Sequence, residues 1–422
     1  MKYLPVLSVF LVLTIATWAR AAAPSDYAPL ANALTQRIET SFYDPLFHGV
    51  DWPKLKARFL AQAAEVHSDE AFLRSADALL RDMKVSHLYV VPPSRSSASK
   101  LGFAINTIDI GKDRIVIDVP ALSDAHRAGV RPGDRLIGPA VDSPTAPGLA
   151  SLPIEGCDGV RRNVAIRRES GLWPPEHPGV RWQRLTPRKG VSIGYLRVDR
   201  FDDDSGAGLL FEKAMDELKD TQALVIDIRL NSGGDSTVVK LASYFIPGPP
   251  QLAVALLARP YLEALGHPVT RQDLMAMPRT EGAYSTEQVF HAVETGHGGA
   301  AFYTSEAGPR LYRGRVVVLT GADTGSSGDG FASIMKSAAH ATLIGRRTAG
   351  KILSGEEFPL IDGWSVTVPV MGLWNANAED IGDQPVYPTI EVPLDRQAIC
   401  QGRDLDVERA LDELGFGVAS AH

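Results

Sequence analysis

Cysteine is nearly missing from this chain. Its 422 residues include two, Cys157 and Cys400. That excludes a disulfide-stapled scaffold and a cysteine-built zinc site. The two lie far apart in sequence, in regions assigned below to different units, and no disulfide is expected between them. Basic clusters are missing as well. Lys and Arg number 43 against 50 Asp and Glu, a formal net charge of −7, with no block of Lys and Arg. That balance argues against nucleic acid as a partner. The ten histidines are scattered. His291 and His297 share a Gly-containing segment, but no pair has ligand spacing such as His-x-x-x-His. Neither a Walker-type phosphate loop nor a dinucleotide fingerprint occurs. No metal or organic cofactor is expected. After the N-terminus no stretch approaches the roughly 20 apolar residues of a spanning helix.

What is present begins with Met1-Lys2, a run from Tyr3 to Trp18 that is almost wholly apolar, and Ala19-Arg20-Ala21. This is the pattern of a secretory signal peptide over 1–21, too short to favour a transmembrane span. The mature chain is expected in the periplasm or secreted. Apolar residues at 45% and charged residues at 22% are ordinary for a soluble protein with sizeable cores. The length suggests two or three domains.

Residues 24–98 read as helical. Trp52 to Val66 and Ser68 to Val85 carry apolar residues at helical spacing, and Ser68 before Asp69-Glu70 is an N-cap signal. Ser86 to Val91 is a short β-prone run stopped by Pro92-Pro93, and 94–100 is a Ser-rich linker. Residues 99–170 read as a small β-rich module, with strand-like 101–105 and 114–119, a short helix in 121–128, and a turn-and-strand stretch over 129–137. Residues 185–400 alternate strands and helices, an α/β pattern. Strands are expected at 192–198, 223–229, 316–320 and 341–344, with helices at 206–219 and 328–339. A poorly periodic segment over about 248–313 reads as a lid or insertion. Residues 401–422 form a C-terminal helix and tail.

Thr320 to Gly330 is a Ser/Gly-rich turn between a buried strand and a helix. A serine there sits at a helix N-terminus, where free backbone N–H groups stabilise negative charge. By itself such a turn is more often an N-cap or a phosphate cradle. Two further blocks accompany it: Asp227-Ile228-Arg229-Leu230-Asn231-Ser232-Gly233-Gly234, and Gly345-Arg346-Arg347-Thr348-Ala349-Gly350-Lys351. In this order and spacing the three resemble the catalytic core of the tail-specific (C-terminal processing) serine proteases and their tricorn-type relatives. The resemblance spans most of the chain. It implies a crotonase-like (ClpP-like) α/β spiral core behind a helical N-terminal domain. The 99–170 module resembles a PDZ domain through Gly129 to Ile137. There Leu101, Gly102 and Phe103 stand where that family holds a peptide's terminal carboxylate by strand addition.

The resemblance implies that Ser326 is the nucleophile, with oxyanion donors from Ser327 and from Gly233 or Gly234. Two bases stay open. Lys351 matches the lysine of the processing branch. Ser86-His87 matches the Ser-His of the tricorn-type branch, in which a Glu, here matched to Glu379, completes the network. Histidine titrates near neutrality and is a natural base; a lysine needs desolvation or neighbours to become one. The chain departs from the processing branch after the nucleophile, with Ser327-Gly328-Asp329 where an Ala-Ser-Glu is usual. The implied partner is a protein or peptide substrate; a homo-oligomer is compatible with the reading. A non-catalytic peptide-binding protein on the same scaffold, or an esterase, is the alternative.

Overall fold

The computed structural model describes residues 26–93, 101–142, 148–170, 179–202, 206–281 and 285–417. The predicted signal segment and the 94–100 linker lie outside the described residues. No helix among the described residues is long and apolar enough to cross a membrane.

The N-terminal helices run Ala28–Ser41, Trp52–Ala63 and Asp69–Met83. Ser68 caps the third, its Oγ accepting the Ala71 N–H at 3.3 Å, with Asp69 and Glu70 in the first turn. Those acids complement the helix dipole. Its buried stripe is Phe72, Ala76, Leu79, Leu80 and Met83. Lys84 ends the helix in a left-handed conformation. Only Tyr89–Val91 of the β-prone run becomes strand, pairing with Ser365 to Thr367. Ser86 and His87 therefore sit in the short link between a packed helix and a paired strand.

The β-rich module is a six-stranded sheet of Asn106–Ile110, Asp113–Asp118, Arg135–Leu136, Val141–Asp142, Leu149–Glu155 and Arg161–Arg167. The short helix Asp124–Arg127 covers a small core that includes Val116, Ala125 and Ile154. The strand expected over 101–105 shrinks to Leu101–Gly102, paired with Glu169–Ser170.

Cys157 and Cys400, expected to remain unpaired, form a disulfide across 243 residues, with Cα atoms 5.5 Å apart. Sequence distance carried no sign of this because docking brings them together. Helix Arg396–Cys400 lies against the module. The Arg396 Nε donates to the Gly133 carbonyl at 2.9 Å, and its Nη2 to those of Glu155 and Gly156 at 3.2 and 3.1 Å. Gly133 lies over the bond; a Cβ there would stand 2.5 Å from the Cys157 Sγ.

Two sheets build the remainder. The first runs Val180–Leu185, Ile193–Val198, Ala223–Asp227, Arg315–Thr320, Thr342–Gly345 and Ile390–Glu391. Its first pair is antiparallel and the others are parallel. The core thus begins with Val180, ahead of the predicted start at residue 185. All of Ala223–Asp227 is buried, as a strand covered on both faces should be.

The second sheet orders Tyr89–Val91, Ser365–Asn375, Leu252–Ala258, Gly299–Tyr303 and Arg279–Thr280, with Ser354–Pro359 as a further partner of Ser365–Asn375. Residues 248–313 therefore supply strands of this sheet, together with helices Arg259–Leu265, Arg271–Ala276 and Thr286–Thr295. One apolar cluster joins the N-terminal helices, both sheets and the helix Ser327–Ser337.

Candidate active site

Two adjacent turns form the floor of the site. Strands Ala223–Asp227 and Arg315–Thr320 pair in parallel, Asp227 beside Leu319. The chain leaves both at the same end of the sheet, where open α/β sheets place ligands. Asn231, fully buried, joins the turns. Its Nδ2 donates to the Val198 carbonyl at 3.0 Å, its Oδ1 accepts the Gly233 N–H at 2.9 Å, and its carbonyl accepts the Gly325 N–H at 2.9 Å. Thr324 adds a bond from its Oγ1 to the Ile228 carbonyl at 2.8 Å.

Ser326 heads the helix Ser327–Ser337 with φ 53° and ψ −123°. A non-glycine residue at positive φ is strained. A strained strand-to-helix turn is one way a fold projects a serine hydroxyl. Its N–H donates to the Lys351 carbonyl at 3.1 Å. Gly233 packs on it so closely that a Cβ would lie 2.5 Å from the Ser326 Cβ. At Gly234, with φ 149°, a Cβ would lie 1.4 Å from the Phe201 carbonyl oxygen.

The backbone donors sort themselves by what they already bind. The Gly233 N–H is committed to Asn231, which corrects its expected role as an oxyanion donor. The N–H groups of Gly234 and Ser327 have no acceptor among the described residues, and both residues line the cleft beside Ser326. Two uncommitted donors at a helix start are what an oxyanion requires.

Asp329, buried in the first turn of that helix, accepts the N–H groups of Gly350 at 3.0 Å and Lys351 at 2.9 Å. It ties the 345–351 segment to the serine helix. Burial raises its pKa, and hydrogen bonds from Thr348 and the backbone act against that.

His87 lines the same cleft as Ser326. Its Nδ1 lies 3.3 Å from the Ser86 Oγ, and the Ser86 N–H donates to Asp383 Oδ1 at 2.8 Å. Through that bond the Asp383 carboxylate stands against Ser86, and its Oδ2 is buried with no hydrogen-bond partner among the described residues. A carboxylate, a hydroxyl and an imidazole thus stand in sequence behind the serine. Burial lowers the His87 pKa; the Asp383 charge works upward and the Lys351 charge downward. A neutral imidazole near physiological pH is the form that accepts a proton.

Of the residues singled out from sequence, the structure gathers Ser326, Ser327, Gly234 and His87 around one cleft, with Ser86 behind His87. Glu379 is not brought there. It is exposed, accepts from Asn375 Nδ2 at 2.6 Å, and does not line the cleft. The carboxylate reaching Ser86 is Asp383, four residues on, because the chain turns at Ile381 and Gly382 before approaching the helix end. Lys351 is exposed and its side chain does not line the cleft; its backbone does the contacting. Leu101, Gly102 and Phe103 are in the module, where Phe103 lies under the Arg168 guanidinium at 4.5 Å. Asp383 and Asp329 carried no distinguishing local signal. Asn231 stood in a quoted landmark, but its three-way bonding depends on the fold.

The cleft as a whole is about 310 Å³, and apart from Asp235, Ser236 and Ser354 its remaining wall is apolar. Val254 and Leu256, Phe302, Leu373 and Ile334 come from strands and from the serine helix, and Val289 and Phe290 come from helix Thr286–Thr295. No cluster of His, Cys, Asp or Glu among the described residues could hold a metal ion.

Comparison with known proteins finds peptidases. Residues 192–392 match the model of Peptidase family S41. The chain is 25% identical over 416 residues to the carboxyl-terminal-processing protease of Synechocystis sp., covering 91% of this chain and 86% of that one. It is 25% identical over 398 residues to a putative tricorn protease homolog 2 of Streptomyces coelicolor, covering 85% of this chain and 30% of the longer relative. In fold it resembles the photosystem II D1 C-terminal processing protease (TM-score 0.55, 18% identity, 91% and 99% of the two chains). It also resembles mature CPAF complexed with lactacystin (TM-score 0.59, 14% identity, 93% and 97%). Residues 192–392 are thus similar to peptidase family S41, and the chain is a serine-type peptidase.

Proposed function

We propose that this protein is an exported endopeptidase that hydrolyses peptide bonds in protein or peptide tails, with Ser326 as nucleophile and His87 as base. The observation that carries the reading is the shared cleft of Ser326 and His87, with Ser86 and Asp383 aligned behind the imidazole. The Ser326 hydroxyl passes its proton to the imidazole nitrogen turned away from Ser86 as Oγ attacks the carbonyl. The Gly234 and Ser327 N–H groups receive the oxyanion. The imidazolium then protonates the leaving amine, and water releases the acyl group by the same route. Asp383 acts through Ser86 to fix the tautomer and steady the imidazolium.

Lys351 is the other candidate base. A lysine base needs burial to strip its ammonium of water, and the exposed Lys351 lacks it. Export is supported by the signal-like N-terminus and by the Cys157–Cys400 disulfide, a bond that persists in oxidising compartments. The order of strands and helix in the 101–170 module supports a PDZ-like role in receiving a tail.

The test is cleavage of an unfolded, tail-bearing protein by the mature chain. Ser326→Ala should be inactive. His87→Ala should lose about 10²- to 10⁴-fold, and Lys351→Ala should stay within about tenfold. An inactive Lys351→Ala beside an active His87→Ala would move the base to lysine. Cleavage by Ser326→Ala would remove the nucleophile assignment.

A further inference from the structure

Resting on the peptidase reading, we infer that the residue whose carbonyl Ser326 attacks carries a large apolar side chain, aromatic above all, and that Phe290 sets the size limit. Three observations meet here. The first is volume: the cleft beside Ser326 encloses about 310 Å³. An apolar cavity of roughly 150 Å³ already holds a benzene ring. An alanine methyl would leave most of this space unfilled, whereas a phenyl or indole would occupy it.

The second is chemistry. Away from Ser326, Ser327, Ser354 and Ser236, the wall is aliphatic and aromatic. The charged residue in the lining besides the titratable His87 is Asp235, and it already accepts both the Thr237 N–H at 2.9 Å and the Thr237 hydroxyl. A glutamate side chain would lose its hydration beside a like charge, and a lysine would have one carboxylate, already shared with Thr237, to offset its loss.

The third is who builds the end wall. Val289 and Phe290 belong to helix Thr286–Thr295, in the segment that intervenes between strands Leu252–Ala258 and Gly299–Tyr303. The helix carries its own capping box, Ser285 with Gln288, so it starts at a defined place. Val289 is buried against the core, while Phe290 is half-buried, one face on the core and the other on the cleft. Phe290 is therefore the wall residue whose size can change with least cost to the fold. It lines the pocket from a helix that carries neither Ser326 nor His87.

One missing methylene in a filled apolar pocket lowers kcat/KM by about 10- to 200-fold. The experiment uses the full mature chain and peptides identical except for Ala, Leu, Phe, Trp, Glu or Lys at the position before the cut, with products identified by mass. Phe should exceed Ala by about 10- to 100-fold in kcat/KM, Leu should fall between, and Glu and Lys should be lowest. Phe290→Ala should raise the Trp:Phe ratio at least about threefold. Leu256→Phe, which narrows the pocket from the strand side, should lower the Phe:Ala ratio. Each variant is read as a ratio, so a partly unfolded sample does not mimic the result. Wild type cutting Ala and Phe peptides equally, or preferring Lys or Glu, overturns the inference while leaving the peptidase reading intact. Wild type cutting none of them, under conditions where it cuts unfolded protein, also overturns the inference. Wild type cutting neither overturns both.

Discussion

Two cavities flank the nucleophile turn, and they differ in almost everything except size. One, about 310 Å³, opens at Ser326 and Ser327 and is walled by apolar side chains. The other, about 360 Å³, borders Gly321 to Asp323 and is crowded with charge. In the charged one, Arg229 Nε and Nη2 donate to Asp227 at 2.9 and 2.7 Å, and its Nη1 donates to Asp404 and Asp406 at 2.9 and 2.8 Å. The Tyr195 hydroxyl donates to Asp227 at 2.6 Å, and Arg346 pairs with Asp406. Burial alone would raise the Asp227 pKa, yet Arg229 and Arg197 hold it well below the usual carboxylate range. Most of these charges pair with one another, Arg346 Nε and Arg197 Nη2 being buried without an acceptor among the described residues, and the result is adhesion: the chain after Pro393 is fastened beneath the turns. In the apolar cavity the polar groups at the rim, two N–H donors and an imidazole, have something left to bind. Uncommitted backbone donors beside a serine and an imidazole, not volume, separate the site of chemistry from the site of assembly.

The largest effect that would break this comparison comes from the charged side. Arg229→Met leaves Asp227, 3% exposed in its side chain, without its main counter-charge, and takes from Asp406, 4% exposed, one of its two partners, Arg346 being the other. Removing one partner of a buried ion pair costs about 3–5 kcal/mol. The melting temperature of the core transition should fall by roughly 5–10 °C. Arg229→Met combined with Asp227→Leu should recover part of the loss, because the stranded carboxylate is gone as well. An unchanged melt for the single variant would mean that the second cavity is not structural, and its charges would need another explanation.

How much of this contrast could be read in advance follows the range of the interactions. The serine turn, the Gly-Gly turn and the Ser86-His87 link are local motifs, and it is their joint resemblance to a known family's landmarks, not any one of them alone, that points to the chemistry. The helix Asp69–Met83 was legible from its cap and stripe. What escaped depends on contacts across the chain. Leu252–Ala258 is apolar without alternation because both its faces are covered, so residues 248–313 read as poorly periodic. Its pairing with Met371 to Asn375 is what closes the apolar cavity. Glu379 and Asp383 are both acidic and four residues apart; only the path of the chain beyond Asn375 decides which reaches Ser86. The committed Gly233 N–H and the disulfide are likewise invisible until the partners meet.

A smaller effect concerns the module. The Cys157–Cys400 bond and the Arg396 clamp fasten it to the charged side of the molecule, and no module residue lines the apolar cleft among the described residues. Replacing both cysteines by serine should cost about 2 kcal/mol in melting stability, at the lower end for a disulfide because Arg396 remains. A reductant should produce the same shift in the wild type and none in the variant. Hydrolysis of short peptides should be unaffected. If it falls in step with the melt, the two regions are coupled more tightly than the separation of their linings implies.

The smallest expected effect sharpens the comparison at the apolar side, where His87 meets charge from two directions. Its folded-state pKa lies below the ordinary value of about 6.5, lowered first by burial. As a base it works unprotonated, so kcat/KM should rise with pH through a midpoint below that value. The Asp383 carboxylate favours the imidazolium and opposes burial, whereas the Lys351 ammonium disfavours it. Asp383→Asn should therefore move the acid limb to lower pH, and Lys351→Met should move it to higher pH. Each shift should be under about one unit, equivalent to about 1.4 kcal/mol. Opposite signs are the point of the measurement. A lysine serving as base would abolish activity on replacement; a lysine acting only as a neighbouring charge leaves the enzyme working and displaces its pH profile upward. Shifts in the same direction, or none, would mean that the acid limb does not report His87.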